Sequence, residues 1–144
     1  MTAKEYLGQA YLLDKRINSK LEQVEKLRSL TRKVTIAFGE APVSHTRNTS
    51  SLQDTIIRLM EAEKELSEAI ETLVDLKREI HRTLQGVTNP QYQLLLELRY
   101  LCFKDWDEIS RELELEDRYV FKVHGRALAD VNIMLNSKKD SKRH

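Results

Sequence analysis

Apolar side chains return along the first part of the chain in alternating steps of three and four. Ala10, Leu13, Ile17, Val24, Leu27, Val34 and Phe38 keep this rhythm once the polar Lys20 and Thr31 are admitted to it. Such spacing lines one side of a helix and faces it toward a partner helix. Thr2-Ala-Lys-Glu5 has the capping-box arrangement that starts a helix, and Gly39 stands where a left-handed residue is expected to end it. The stretch 39–51, GEAPVSHTRNTSS, reads as a loop. Ser50-Ser-Leu-Gln53 repeats the capping pattern, and Leu52, Ile56, Leu59, Leu66, Ile70, Leu73, Ile80 and Leu84 carry the rhythm on to Gly86, interrupted by Glu63 and Lys77. Two helices of roughly 35 residues, each roughly 50 Å long at ~1.5 Å per residue, predict a long antiparallel coiled-coil-like hairpin. With the loop centred near His45, Arg28 falls opposite Glu63 and Asp14 opposite Lys77, so both interruptions meet an opposite charge. Tyr6, Leu7, Leu21, Leu30, Ile57, Met60, Val74 and Leu76 widen the apolar stripe beyond the seam and predict further packing, against the C-terminal part or a second copy.

Val87-Thr-Asn-Pro90 breaks the pattern, with Asn89 suited to cap a new helix and Pro90 to its first position. Beyond it the elements are short: a helix over 91–102, another over 105–113, a tight connection 114–117, and a last helix over 118–135. The final segment, 136–144, has no apolar residue to anchor it and is expected to be disordered. The expected organisation is therefore a hairpin over 1–86, a compact helical unit over 87–135 and a basic tail. Only 4 Gly and 2 Pro in 144 residues leave too few turn-formers for a many-stranded sheet, so the fold class is all-α.

In the compact unit, Asp105 and Glu108 form a capping pair around Trp106, and Ile109 and Leu113 give the helix after them an inner face. Val120, Val123, Ala127, Leu128 and Val131 do the same for the next helix, so Trp106, Ile109, Val120 and Leu128 are expected to be buried together. Two helices joined this tightly, the second longer and basic on its outer side, have the plan of a helix-turn-helix. Arg118, Lys122 and Arg126 recur every four residues on that outer side, and with Tyr119 and Phe121 they are the candidate DNA contacts. The whole chain is nearly neutral, 24 Lys+Arg against 23 Asp+Glu, so any pull on nucleic acid is local. It is concentrated in Arg118, Lys122, Arg126, Lys138, Lys139, Lys142 and Arg143, whereas Asp105, Asp107, Glu108, Glu112, Glu114 and Glu116 make the preceding helix and turn acidic.

Residues 94–131, about a quarter of the chain, resemble the fourth region of bacterial primary sigma factors, the part that reads the upstream promoter element. The features shared are Arg99-Tyr100 at the end of a Leu/Arg-rich helix, Asp107-Glu-Ile-Ser110 on the first motif helix, and Ala127-Leu128 closing the recognition helix. With AKEYLGQAYLLDKRINSKLEQV at 3–24 and LVDLKREI at 73–80, the chain is similar to a family of phage and prophage proteins related to the ArpU-type late transcriptional regulators. That resemblance implies transcription control, with double-stranded DNA as partner and host RNA polymerase as a second one. Phe121 and the acidic turn depart from the sigma pattern, in which the position of Phe121 is usually basic or polar.

Other chemistries find little support. The lone Cys102 forms no internal disulfide, and His81, His124 and Cys102 lack zinc-ligand spacing, so neither metal nor cofactor is expected. Tyr100, Phe103 and Trp106 are read as core aromatics rather than as a ligand pocket. Without a phosphate loop or nucleophile elbow, no enzyme is expected. No run approaches the ~20 apolar residues of a membrane span, and a cytoplasmic location follows. Two alternatives stay open beside the regulator: a DNA-packaging assembly protein of the small-terminase kind, in which the hairpin builds a homo-oligomeric ring, and a coiled-coil adaptor that binds no DNA.

Overall fold

The computed structural model describes the backbone of residues 1–40 and 45–143, with side chains over 1–37 and 50–139. The fold is all-α. Its helices are α1 (Ala3–Glu40), α2 (His45–Gln85), α3 (Pro90–Tyr100), α4 (Trp106–Leu113) and α5 (Asp117–Arg143). None of them, over the described residues, is long and apolar enough to cross a membrane. The start of α1 uses the expected cap, with the Glu5 N–H donating to Thr2 Oγ1 at 3.2 Å. Asn89 likewise caps α3, its Oδ1 accepting from the N–H groups of Gln91 and Tyr92, and Pro90 takes the first turn.

Three expected boundaries are displaced. Gly39 does not end α1, which runs to Glu40, since one glycine costs a helix about 1 kcal/mol and does not by itself break it. The expected 39–51 loop shrinks from both sides, because α2 already begins at His45 and the Ser50 signal falls inside it. There Thr55 Oγ1 donates back to the Ser51 carbonyl at 2.8 Å, a bond that lets a hydroxyl residue sit within a helix. Residues 41–44, at the centre of that loop, lie outside the described residues. At the other end α5 continues through most of the expected disordered tail to Arg143, because no Gly or Pro after Leu135 supplies a stop.

The packing divides the chain into two compact units elsewhere than at residue 86. One unit is 14–72, where the long helices run antiparallel: Arg28 pairs with Glu63 at 3.4 Å and Lys20 with Glu65 at 3.3 Å. The α1 seam is as expected, with Ile17 and Val24 buried and Lys20, Leu27, Thr31 and Val34 half-buried between them; the side chain of Phe38 lies outside the described residues. The α2 seam is half corrected. Leu52, Leu59 and Leu66 face inward, but the covered positions beside them are Thr55 and Ala69, not Ile56 and Ile70, whereas Glu63 is half-buried like its neighbour Ala62. A residue three on and a residue four on are both one turn away, and the side on which α1 packs selects the former. Ile56 and Ile70 are consequently exposed, at 38% and 41%.

The second unit joins 1–13 to 73–144. Its core is continuous through Leu7, Ile80, Leu84, Leu95, Leu96, Ile109, Val120, Val123 and Val131. Polar ties join its helices: the Ala3 N–H donates to Asn132 Oδ1 at 2.8 Å, and Gln93 Nε2 donates to the Leu84 carbonyl at the end of α2 at 2.9 Å. The ends of the hairpin helices thus share one apolar interior with α3, α4 and α5. Lys77, expected opposite Asp14, belongs to this unit while Asp14 belongs to the other, and its ammonium is held over the Phe103 ring, 4.6 Å from the centroid.

Candidate nucleic-acid interface

Helix α4 is started by Asp105, whose Oδ1 accepts from the Glu108 N–H at 2.8 Å. It ends in a Schellman motif with Glu114 in the left-handed conformation, φ 55°. The Leu115 N–H reaches back to the Ser110 carbonyl at 2.9 Å, and the Glu114 N–H to that of Arg111 at 3.3 Å. The turn is therefore only Glu114-Leu-Glu116, and the Glu116 carbonyl already accepts from Tyr119 and Val120 of α5. So short a link commits α4 and α5 to one relative orientation, and both pack on α3.

The inward residues of α5 are Val120, Val123, Ala127 and Val131, all buried, with His124 beside them. Of the four residues expected in a common core, Ile109 and Val120 are fully buried, while Trp106 and Leu128 are half-buried at its edge. Leu128 is corrected to a margin position because its place on the helical wheel lies a full step from Val120 and Ala127 toward solvent.

All five candidate contacts, Arg118, Tyr119, Phe121, Lys122 and Arg126, are exposed on α5. Arg118, Lys122 and Arg126 form one stripe, and among the described residues none of the three has an ion-pair partner. Phe121 sits to one side of this stripe, its ring 5.3 Å from that of Trp106, so it belongs as much to α4 as to the outer surface. Gly125, between Lys122 and Arg126, is also exposed, and a Cβ built on it meets nothing within 4 Å. The acidic residues of α4 and the turn point to solvent as well; of these Glu112 is paired with Lys104.

Tyr100, Phe103 and Trp106 are core residues only in part. Tyr100 is buried, its hydroxyl 2.7 Å from His124 Nε2, whereas Phe103 and Trp106 are half-buried and border an open cleft. Lys4, Gly8 and Tyr11 of α1 also line it, and Arg99 of α3 stacks over Trp106 at 4.5 Å. These residues lie far apart in the chain, and only Gly8, an isolated glycine within a helical run, hinted that a backbone is left uncovered there. Comparison with family models, with curated proteins and with solved structures finds no match.

Proposed function

We propose that this chain is a cytoplasmic, phage-type DNA-binding transcriptional regulator in which α5 is the recognition helix. The observation that supports this most is the unpaired, exposed stripe Arg118–Lys122–Arg126 on the second helix of a tight helix-turn-helix. Guanidinium and ammonium groups left without carboxylate partners are free to displace counterions from phosphates, and the first turns of such a helix are those that enter the major groove. Arg118 and Lys122 are assigned to base edges and Arg126 to the backbone, with Tyr119 and Phe121 at the flanks. The exposed carboxylates of α4 and the turn repel a phosphate backbone and suit instead a basic surface of RNA polymerase.

The hairpin supplies self-association. One heptad from Arg28 stands Leu21 and, in the antiparallel sense, one heptad from Glu63 stands Ile70; both are exposed, as are Ile56 and Met60. This apolar stripe beside the seam also favours the second reading, an assembly protein whose hairpins build a ring on packaged DNA. Selection of the full chain against a random duplex library, alone and with RNA polymerase, tests the first reading, and an enriched sequence is expected. No enrichment under either condition removes the DNA-reading role. Mass in solution separates a dimeric regulator from a ring.

A further inference from the structure

We propose that the cleft walled by the first turns of α1, the end of α3 and the Phe121 side of α5 binds a small planar aromatic anion, either an aromatic carboxylate or a mononucleotide. Its volume, about 490 Å³, is that of a small-ligand site. The chain has one Trp, five Tyr and three Phe, and five of these nine (Tyr11, Tyr100, Phe103, Trp106 and Phe121) line this single cleft. Two stand at its mouth with much of their rings in solvent, Tyr11 at 47% and Phe121 at 54% exposure. Ring edges and faces in such a cluster are suited to take a flat ring between them.

The sign of the charge follows from which groups are already engaged. Asp105, the carboxylate on the rim, is committed to the N-cap of α4. Lys4 has no ion-pair partner among the described residues, and Arg99 meets only the Trp106 face and, through Nη1, the Lys104 carbonyl at 3.1 Å. Lys4 and Arg99 thus set two positive charges against the single carboxylate of Asp105 among the residues that line the recess. His124 at the inner end registers their field: burial first, then Lys4 and Arg99, hold its imidazole neutral.

Two further features shape the space. Phe103 is held with φ 57°, a backbone conformation that a bulky side chain rarely adopts, and this sets its ring edge-on to Tyr11 at 5.8 Å. Gly8, in the second turn of α1, has no atom within 4 Å of where a Cβ would stand, so the absent side chain leaves room within the cleft itself. A glycine weakens a helix at this position, and space for a ligand is what it gives in return. Because Phe121 precedes Lys122, an occupant would also touch the helix assigned to DNA. That link rests on the function proposed above, but the binding itself does not.

The single tryptophan is a reporter in the wall. Fluorescence of Trp106 in the full chain, without DNA, is to be titrated with benzoate against benzyl alcohol and with adenosine monophosphate against adenosine. A saturable change is expected, with the anion of at least one pair bound about tenfold more tightly than its neutral partner. Lys4→Ala should remove that preference, and Gly8→Leu should abolish the response while Gly8→Ala, which adds one methyl to a helix, melts no lower than the parent. No saturable change with any of the four compounds overturns the proposal, as does equal binding within both pairs or a response that survives Gly8→Leu. Loss of DNA reading with these titrations intact would leave the cleft standing by itself.

Discussion

The Tyr100 hydroxyl and His124 Nε2 lie 2.7 Å apart in the interior shared by α3 and α5, and the Trp106 ring closes over the imidazole at 4.6 Å between centroids. Burial, reinforced by the nearby charges of Lys4 and Arg99, lowers the His124 pKa from 6.5 to about 4. Between these two values the unfolded chain binds a proton that the folded chain refuses, so stability falls as the pH falls through this window. It is fully retained above pH 6.5. The loss reaches up to about 3 kcal/mol once the pH is near the folded value. His124→Gln, which keeps a polar partner for Tyr100 without a titrating group, should flatten urea-unfolding stability over this range. A parent chain equally stable at pH 7 and pH 4.5 would refute the buried neutral imidazole.

The pair Arg28–Glu63 tests the hairpin register. Both side chains are close to half exposed, at 49% and 44%, so the coupling is small, about 0.2–1 kcal/mol. In a double-mutant cycle Arg28→Glu should destabilise by a few tenths of a kcal/mol and the added Glu63→Arg should restore most of it. Raising the salt should shrink the coupling. A coupling of zero at low salt places the two helices in another register.

Core depth ranks the residues of α4 and α5. Ile109 is fully buried, and Ile109→Ala should cost about 2–5 kcal/mol, whereas the half-buried Leu128 should cost on the order of 1 kcal/mol when cut to Ala. Thermal melting of the two variants gives the order, and a reversed order would mean that α5 is rotated from the position described.

Glu114 closes α4 with φ 55°, where glycine has no Cβ penalty. Glu114→Gly should therefore stabilise by about 0.5–1 kcal/mol, the relief of the left-handed residue exceeding the entropy that glycine adds to the unfolded chain. Glu114→Ala keeps the strain and should show no such gain in a denaturant melt.

What was legible in the sequence was local. Thr2, Asn89-Pro90 and Asp105 announce their helices because a cap satisfies backbone groups within three residues of itself. The seam of α1 and the pairing of Arg28 with Glu63 follow from period and symmetry alone. On α2 hydropathy favoured Ile56 and Ile70 over Thr55 and Ala69, and the choice between neighbouring positions is made by the partner helix, which no single-segment pattern contains. The basic stripe of α5 was visible because its members share one helix. The cleft was not, since Lys4, Arg99 and His124 meet only when α1, α3 and α5 pack into one unit, and the left-handed Phe103 carries no sequence mark.

A change at Gly125 separates stability from the proposed DNA reading. It sits on the outer face of α5 between Lys122 and Arg126, in helical conformation and with open space around it. Nothing within the chain requires a glycine there, so Gly125→Ala should raise stability by about 1 kcal/mol, read as a higher melting temperature. If the proposed stripe lies in a groove, however, the added methyl stands between the helix backbone and the duplex, and the more stable variant should bind DNA more weakly. Its neighbours should fail differently. Arg126→Ala, on the backbone side, should weaken binding to all sequences and reduce the salt slope by roughly 0.9, one phosphate contact. Lys122→Ala should cost about 1–3 kcal/mol mainly at the selected site, since a lost base contact leaves non-specific binding nearly intact. Binding measured against salt, on the selected duplex and on a scrambled one, distinguishes the three. Should Gly125→Ala bind as the parent does while melting higher, the backbone of α5 does not approach DNA at that turn, and the role of Lys122 in reading a base must be given up with it.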